Sequence, residues 1–148
     1  MITSTSSSQV KHVVNLQKKA KLRKEEKQFV VEGVKMVSEA PADRLVKVYV
    51  SETFKADNEE FLERMNYDSI GKDVLEIVTD NVFMRMADTQ TPQGIMAVVR
   101  MSDTDLEGIL SDKRNPLLLI IENLQDPGNL GTIVRMAEGA GVTGIIMS

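Results

Sequence analysis

The sequence predicts an α/β protein, and three features of the 148-residue chain support this fold class. Short β-branched stretches alternate with segments of helical periodicity from Gln9 to Val99, a pattern typical of a sheet covered by helices. A continuous apolar run, Leu117 to Ile121, has the composition of a strand buried on both faces of a parallel sheet. One helix and a second apolar strand, Gly144 to Met147, follow, so the end of the chain is predicted to form one βαβ unit.

The front part of the chain, residues 9–101, is predicted to be an α/β/α sandwich with a central sheet. Residues 1–8 are polar and are expected to be a disordered tail. Predicted strands cover residues 29–31, 45–50, 74–78 and 94–99, and predicted helices cover residues 9–20, 33–40, 57–65 and 81–87. We expect a short basic loop from Lys21 to Lys27, and Asp80 is a plausible N-cap for the last of these helices.

The polar stretch at residues 102–115 is predicted to be a linker with a short helix near Leu106 to Leu110, and a second unit spans residues 116–148. Two buried strands and one helix cannot cover their own apolar faces. We therefore expect either that the sequence is a piece of a longer protein, with its second domain incomplete, or that a second chain completes the sheet. As an isolated monomer, the chain should expose a sizeable apolar patch.

The composition excludes several kinds of site. The chain has no cysteine, which excludes disulfides, thiolate chemistry and cysteine-based zinc sites, and its single histidine, His12, cannot make a multi-histidine metal site. We find no secretory signal and no apolar stretch of the roughly 18 residues that span a membrane. These observations predict a cytoplasmic protein without a bound metal or a membrane segment.

Positive charge is concentrated near the N-terminus, although the whole chain has a net charge of −4. Eight lysine and arginine residues, but only three glutamates, lie between Gln9 and Lys35. Binding of nucleic-acid phosphates requires such local density, and a solvated helix face would have the same composition, so both interpretations stay open at this point. The candidate phosphate-binding side chains are Lys18, Lys21, Arg23 and Lys24.

The segment Asp126-Pro-Gly-Asn-Leu-Gly131 joins the first buried strand of the second unit to its helix. Pro127 and Gly128 suit the central positions of a type II turn, because proline restricts φ and glycine tolerates a positive φ. Asn129 suits the N-cap of the helix, which is predicted from Leu130 to Ala140.

Arg135 lies on this helix and is the candidate functional side chain of the unit. It would be near the carboxyl end of a parallel strand, where ligands of open α/β sheets bind. The alternative is a purely structural helix in which Arg135 pairs with Glu138.

Residues 122–135 resemble the first signature motif of the SpoU (TrmH-like) RNA methyltransferases of the SPOUT superfamily. The motif has an Asp-Pro pair, a glycine, an asparagine, a second glycine and an arginine four residues later. The matching residues here are Asp126, Pro127, Gly128, Asn129, Gly131 and Arg135. The sequence departs from the family at Met136, where threonine is usual. The resemblance implies the first βαβ unit of an α/β-knot methyltransferase domain.

The resemblance also implies an activity and roles for two residues. SpoU enzymes transfer a methyl group from S-adenosylmethionine to a ribose 2′-hydroxyl of rRNA or tRNA. Arg135 would help to deprotonate or orient that hydroxyl, and Asn129 would shape the loop and support the site. Because the pKa of a free arginine exceeds about 12, stabilisation of a developing oxyanion is an easier role than proton abstraction.

The later SpoU motifs, which complete the knotted domain and form most of the S-adenosylmethionine pocket, do not occur before Ser148. The resemblance therefore implies that the parent protein binds S-adenosylmethionine, and that this piece does not bind it alone. The cofactor-binding residues stay unassigned. Because SpoU enzymes are usually dimeric through the knotted domain, we expect a homodimer for the full-length protein.

Two further segments, residues 21–33 and 91–97, resemble the substrate-binding domain that precedes many SpoU catalytic domains. That domain is similar to an α/β/α fold of RNA-binding ribosomal proteins. The resemblance implies that Lys21, Arg23 and Lys24 contact RNA phosphates. It also implies that Glu32 and Gly33 hold the turn between a strand and a helix.

The leading interpretation is an RNA 2′-O-ribose methyltransferase, and the alternative is a non-catalytic RNA-binding module. A third interpretation, a nucleotide-binding domain, rests on Gly139-Ala-Gly-Val-Thr-Gly144, which satisfies the pattern G-x-G-x-x-G. That pattern needs a strand before it and a helix after it, whereas here a helix precedes and a strand follows. A helix C-cap and a tight turn explain these glycines better, and we reject the third interpretation.

Overall fold

The chain folds into two compact units, Met1–Met101 and Ser102–Ser148. A computed structural model describes residues 1–65, 74–103, 106–111 and 115–148. The helices of the first unit are α1 (Ser8–Lys18), α2 (Ala20–Glu26), α3 (Val34–Glu39), α4 (Glu52–Asp57), α5 (Glu59–Met65) and α6 (Asp80–Met86), with a 3₁₀ turn at Ala42–Arg44. Its strands are β1 (Gln28–Glu32), β2 (Leu45–Ser51), β3 (Leu75–Val78) and β4 (Ile95–Arg100).

The four strands of the first unit form one mixed sheet in the order β1-β4-β2-β3. Strand β4 pairs antiparallel with both neighbours, so that Val98 lies opposite Val30 of β1 and Lys47 of β2. Strands β2 and β3 run parallel. Because successive side chains of β4 point to opposite faces and both faces are covered, Ile95 to Val99 are all buried.

Two apolar cores lie on opposite faces of this sheet. The first packs α3 and α4 against the strands, and its buried members are Val31, Val37, Leu45, Val48, Val50, Phe54, Val74, Ile95, Ala97 and Val99. The second packs α1 and α6 against the other face, and its buried members are Val10, Val13, Leu16, Tyr49, Val78, Val82, Phe83, Met86, Met96 and Val98. The mixed α/β class that the sequence predicts is therefore confirmed, with helices on both sides of the sheet.

The N-terminal residues differ from the sequence prediction of a disordered tail at residues 1–8. Ile2 forms a parallel bridge with Val78 at the β3 edge of the sheet. The Ile2 N–H donates to the Ile77 carbonyl at 2.8 Å, and the Thr79 N–H donates to the Ile2 carbonyl at 3.1 Å. The prediction is wrong at Ile2 because an open strand edge offers backbone partners that composition does not reveal.

Helix α2 replaces the basic loop that the sequence predicts from Lys21 to Lys27. Alanine, lysine, arginine and glutamate, which make up most of this segment, have high helix propensity. The helix ends at Lys27, whose backbone is left-handed with a φ of 51° and whose N–H donates to the Arg23 carbonyl. The loop prediction is therefore wrong, and the basic side chains lie on a helix.

The second unit contains α7 (Leu106–Leu110), β5 (Leu118–Ile121), α8 (Pro127–Gly139) and β6 (Gly144–Met147). Strands β5 and β6 pair in parallel with a helix between them, so the predicted βαβ unit is present. The predicted linker helix is also present as α7, and residues 104–105 and 112–114 of that linker lie outside the described residues.

Helix α7 packs against the strands instead of lying in a free linker. A Cβ atom added to Gly144 would lie 2.8 Å from Cγ2 of Ile109 and 3.1 Å from Cδ2 of Leu118. This close approach favours glycine at the start of β6, because a Cβ there would displace the Ile109 side chain. Residues 102–115 are accordingly grouped with the second compact unit.

Candidate functional site

Helix α8 begins at Pro127, three residues earlier than the sequence predicts. Asp126 is its N-cap, and the Asp126 carboxylate accepts a hydrogen bond from the Gly128 N–H at 2.8 Å. Asn129 therefore lies inside the first turn, and Gly128 lacks the positive φ that a type II turn requires. Both predictions are wrong because an aspartate followed by proline is itself a strong helix start: aspartate caps a free N–H and proline has none to satisfy.

Asn129 and Arg135 are the two predicted catalytic residues, and both side chains are exposed on α8. Their separation of six residues corresponds to about 9 Å along the helix axis and about 120° around it. Arg135 lies about 12 Å along the axis from the start of the helix. Because helical side chains lean toward the N-terminus, the stem of Arg135 leans back toward the loop after β5.

The purely structural interpretation of Arg135 lacks its expected contact. Among the residues that the structure describes, no ion pair joins Arg135 to Glu138. The Thr132 hydroxyl, which lies between Asn129 and Arg135 on the helix surface, donates to the Gly128 carbonyl at 3.1 Å. A Cβ at Gly131 would meet no heavy atom within 4 Å. The surface beside the two candidate residues is therefore open to a large ligand.

The predicted RNA-binding lysines lie on two consecutive helices. Lys18 ends α1, Lys21 and Lys24 belong to α2, and all three side chains are exposed. The Lys21 ammonium group lies 3.8 Å from the Glu25 carboxylate, one helical turn further along. Exposed pairs of this kind contribute little to stability, so Lys21 can exchange its partner for a phosphate at small cost.

Arg23, predicted with these lysines, is instead bound to the protein's own backbone. Its Nη1 donates to the carbonyl oxygens of Leu16 and Gln17, both at 2.7 Å, and the contact is partly buried. Carbonyl groups in the last turn of a helix have no partner within the helix. Arg23 thus joins α2 to the end of α1, a structural contact that the sequence does not predict.

The turn between β1 and α3 is held by the loop that precedes β4. The Gln93 side-chain oxygen accepts a hydrogen bond at 2.8 Å from the Val34 N–H, in the first turn of α3. The Glu32 carboxylate accepts hydrogen bonds from the Asp88 N–H at 3.0 Å and from the Thr89 hydroxyl. The Gly33 N–H also donates to the Ile95 carbonyl at 2.9 Å, so the two segments of the first unit that carry the family resemblance are in direct contact. Glu32 is a structural residue of this turn.

Asp80 lies where β2 and β3 end, and it is not the N-cap that the sequence predicts, because Thr79 holds that position. The Asp80 carboxylate accepts hydrogen bonds from the hydroxyl and the N–H of Thr53, at 2.7 and 3.2 Å. These two bonds, the hydroxyl first, lower the pKa of Asp80, and the Ser51 hydroxyl contributes further. The carboxylate thereby joins the start of α6 to the start of α4.

Within the described ranges, no group of three or more histidine or acidic residues is placed to hold a metal ion. His12 instead lies 2.6 Å from the Glu26 carboxylate, in a contact between α1 and α2. In the same part of the chain, no helix is both long and apolar enough to cross a membrane.

Comparison with known proteins identifies the first unit. Residues 7–97, from α1 into β4, match the model of the MRM3-like substrate-binding domain. The chain belongs to this family. The matched stretch precedes the Asp-Pro-Gly-Asn motif, so the family match and the motif are independent observations on the two units.

Two curated relatives are rRNA methyltransferases. The human mitochondrial rRNA methyltransferase 3 is 31% identical over 145 residues, which cover 92% of this chain and 32% of the human protein. The 23S rRNA (guanosine-2′-O-)-methyltransferase RlmB of Haemophilus influenzae is 30% identical over 125 residues, which cover 80% of this chain and 49% of RlmB. The chain therefore spans between about a third and about half of the length of these relatives.

A solved structure has the same fold. The AdoMet-bound rRNA methyltransferase of Sinorhizobium meliloti matches with a TM-score of 0.75 and 25% sequence identity, over 99% of this chain and 53% of that protein. AdoMet is S-adenosylmethionine. The likeness confirms a mixed α/β fold similar to that of an RNA methyltransferase.

Proposed function

We propose that this chain is the RNA-binding part and the start of the catalytic domain of an rRNA methyltransferase, which transfers a methyl group from S-adenosylmethionine to a ribose 2′-hydroxyl. One observation carries the proposal: a substrate-binding family match over residues 7–97 is followed, in the same chain, by the SpoU motif on a βαβ unit. The named relatives support rRNA as the substrate class.

In the first unit, we assign RNA phosphate binding to Lys18, Lys21 and Lys24, because they are exposed on consecutive helices. Arg23 was predicted to act with them. Since its guanidinium is hydrogen-bonded to α1, its proposed role is to position α2, while its charge still adds to the local positive potential.

In the second unit, we assign the chemistry to Arg135 and Asn129. A guanidinium keeps its positive charge and has no acceptor atom, so Arg135 stabilises the negative charge that develops on the ribose oxygen. The Asn129 amide has both donors and an acceptor, which suits it to orient the ribose or the adjoining backbone. S-adenosylmethionine supplies the methyl group.

The described residues of the second unit do not fit this cofactor by themselves. Asn129 and Arg135 are exposed, and the space beside Gly131 is open, whereas binding sites for small molecules usually enclose most of the ligand. No described residue is therefore assigned to the cofactor, and only the RNA-facing roles above are derived from this chain.

We also propose that residues 102–148 begin a knotted α/β domain that forms a homodimer. The support is an uncovered apolar surface on the two-stranded sheet. Ile120 is 72% exposed and lies opposite Ile146, which is 37% exposed. Neighbouring apolar side chains of this kind are normally covered by further polypeptide.

Methylation of rRNA fragments, followed by mass spectrometry of the ribose, tests the proposal in a protein that contains the whole methyltransferase domain. Arg135→Ala is expected to lower kcat by about 10²- to 10³-fold, the usual loss on removal of one oxyanion-stabilising donor, with RNA affinity mostly retained. Glu138→Gln, also exposed on α8, is the matched control and should keep its activity.

Two results would count against these assignments in different ways. Equal activity of Arg135→Ala and Glu138→Gln would remove the role given to Arg135. Failure of the unaltered protein to methylate any rRNA, while it still binds RNA, would favour a non-catalytic RNA-binding module. The observation that favours this second function, a non-catalytic RNA-binding module, is that both candidate catalytic residues are exposed.

A further inference from the structure

A basic groove lies between α1 and α6, on the face of the first unit that carries the second core. It has a volume of about 340 Å³ and is lined by three cations, Lys11, Lys18 and Arg85, by the polar residues Asn15 and Thr5, and by Val10 and Val14. Among the described residues that line it, none is acidic. We propose that this groove binds the phosphodiester backbone of RNA. The inference rests on the proposed function and specifies the surface that it uses.

One face of α1 supplies two of the three charges. Lys11, Asn15 and Lys18 are four and three residues apart, so they share one side of the helix. Lys11 and Lys18 are about 10.5 Å apart along the axis. Val13 and Leu16 of the same helix are fully buried against the sheet, which directs the polar side of α1 outward.

Arg85 brings the third charge from a distant part of the sequence. Phe83 and Met86, its neighbours on α6, are buried in the core that also holds α1. Their burial sets α6 beside α1 and leaves Arg85 exposed at the groove. The groove therefore forms only through the packing of α1 and α6, because each of its three cations by itself is an exposed residue like many others on the surface.

The three charges have no counter-ion in the described part of the protein. No ion pair or side-chain hydrogen bond joins Lys11, Lys18 or Arg85 to another described residue. Like charges around one groove repel each other, and a polyanion relieves this repulsion while it releases condensed counterions. The Asn15 amide and the Thr5 hydroxyl add the neutral groups that commonly bind phosphate oxygens and ribose hydroxyls.

RNA is the occupant that the charge distribution and the family favour. The net charge of the chain is −4, so the groove is a local positive surface on an acidic protein and not part of a generally basic one. The family match over residues 7–97 contains both helices that form the groove.

Fluorescence anisotropy with the 148-residue chain and a labelled rRNA hairpin, over a series of salt concentrations, tests the groove directly. The groove variant carries Lys11→Gln, Lys18→Gln and Arg85→Gln. The control variant has the same charge change on the opposite face of the sheet and carries Lys35→Gln, Lys55→Gln and Arg64→Gln, all at exposed positions. Circular dichroism verifies that both variants are folded.

We expect the groove variant to bind RNA at least about tenfold more weakly at low salt. The slope of the logarithm of the association constant against the logarithm of the salt concentration should be smaller in magnitude by about 2 to 3. The control variant should keep the slope of the unaltered chain. Equal losses in the two variants would overturn the groove while leaving RNA binding intact. Absence of RNA binding by the unaltered chain would overturn the groove and the proposed function together.

Lysine acetylation of the unaltered chain gives a measurement that needs no variant. RNA should protect Lys11 and Lys18 from a water-soluble acetylating reagent and leave Lys35 and Lys55 as reactive as before. Inorganic phosphate at the same phosphate concentration should protect none of them, because it lacks the multiple contacts of a polymer. Protection that is equal at all four lysines, or absent at Lys11 and Lys18, would contradict the proposal.

Discussion

Two arginine side chains of this protein have different surroundings. Arg23 donates to two backbone carbonyls and is half-buried, whereas Arg135 is exposed and has no ion pair with Glu138. Residue type alone therefore cannot separate an arginine that holds two helices together from one that is exposed at a proposed site. The distinction depends on whether unpaired carbonyl groups lie within reach of the guanidinium.

The glycine at position 94, in the segment from Thr91 to Ala97, has a structural reason. Its φ is +88°, which side chains rarely allow, and a Cβ there would lie 2.8 Å from the Phe54 Cβ and 3.0 Å from the Ser51 Oγ. The glycine in the segment from Thr91 to Ala97 is thus required by a close approach of α4 to the start of β4. The presence of glycine at this position is therefore explained without a ligand.

The lowered pKa of the Asp80 carboxylate depends mainly on the Thr53 hydroxyl. Thr53→Val removes the hydroxyl that contributes most to the lowered pKa of Asp80, while the Thr53 N–H and the Ser51 hydroxyl remain. We expect the pKa of Asp80, followed by carboxyl NMR against pH, to rise toward its ordinary value. Thr143→Val, whose hydroxyl donates to the Leu117 carbonyl, is the control and should leave that pKa unchanged.

The sign of the corresponding stability effect follows from linkage. Because the pKa of Asp80 is lower in the folded chain, the carboxylate stabilises the fold above its unfolded pKa, and this contribution is lost as the pH falls through the folded pKa. Thr53→Val should therefore weaken the fold more at neutral pH than at strongly acidic pH. An unchanged pKa in Thr53→Val would show that the hydroxyl has no effect on the carboxylate.

At the scale of elements, the corner between α1 and α2 depends on Arg23. Arg23→Met should lower the free energy of unfolding by about 2 kcal/mol, because two charge-assisted hydrogen bonds in a partly buried site are lost. Lys24→Met removes the same charge from an exposed neighbour and should change stability by less than about 0.5 kcal/mol.

Urea unfolding followed by circular dichroism measures both variants. Equal stability of Arg23→Met and Lys24→Met would mean that the carbonyls of Leu16 and Gln17 are satisfied by water just as well. The same pair of variants separates stability from RNA affinity, because Lys24 is assigned to phosphate binding and Arg23 to the helix corner.

At the scale of the whole molecule, the two units differ in how well they are covered. The first has apolar cores on both faces of its sheet, whereas the second exposes Ile120 and Ile146 next to each other. Met136 of α8 is also 70% exposed. An uncovered apolar surface of this kind favours association with another surface.

The exposed apolar surface of the second unit is expected to cause self-association. The unaltered chain should bind the dye ANS and self-associate as its concentration rises in sedimentation velocity, and Ile120→Lys should reduce both effects. Met36→Lys replaces a separate exposed apolar residue of α3 and serves as the control with no such reduction. A chain that stays monomeric and binds no dye would show that the exposed apolar residues do not form a surface that mediates self-association.

The α/β class, the strand positions and the βαβ unit with its motif could be predicted from the sequence, because they depend on local periodicity and composition. The sequence prediction was wrong where short-range alternatives compete, as at Asp126 against Asn129 for the helix start and at residues 21–26 for helix against loop. The same sequence is compatible with either helix start and with either helix or loop, because the alternatives differ little in free energy.

Contacts between side chains that are distant in the sequence depend on the packing of the whole fold. Gln93 reaches the first turn of α3, Arg23 reaches the end of α1, and Arg85 joins Lys11 and Lys18 across one groove. These contacts follow from the packing of α1 and α6 on one face of the sheet and of α3 on the other. No local sequence pattern predicts these contacts. Burial of the apolar faces determines which helices pack together, and that packing then determines which polar side chains lie close to each other.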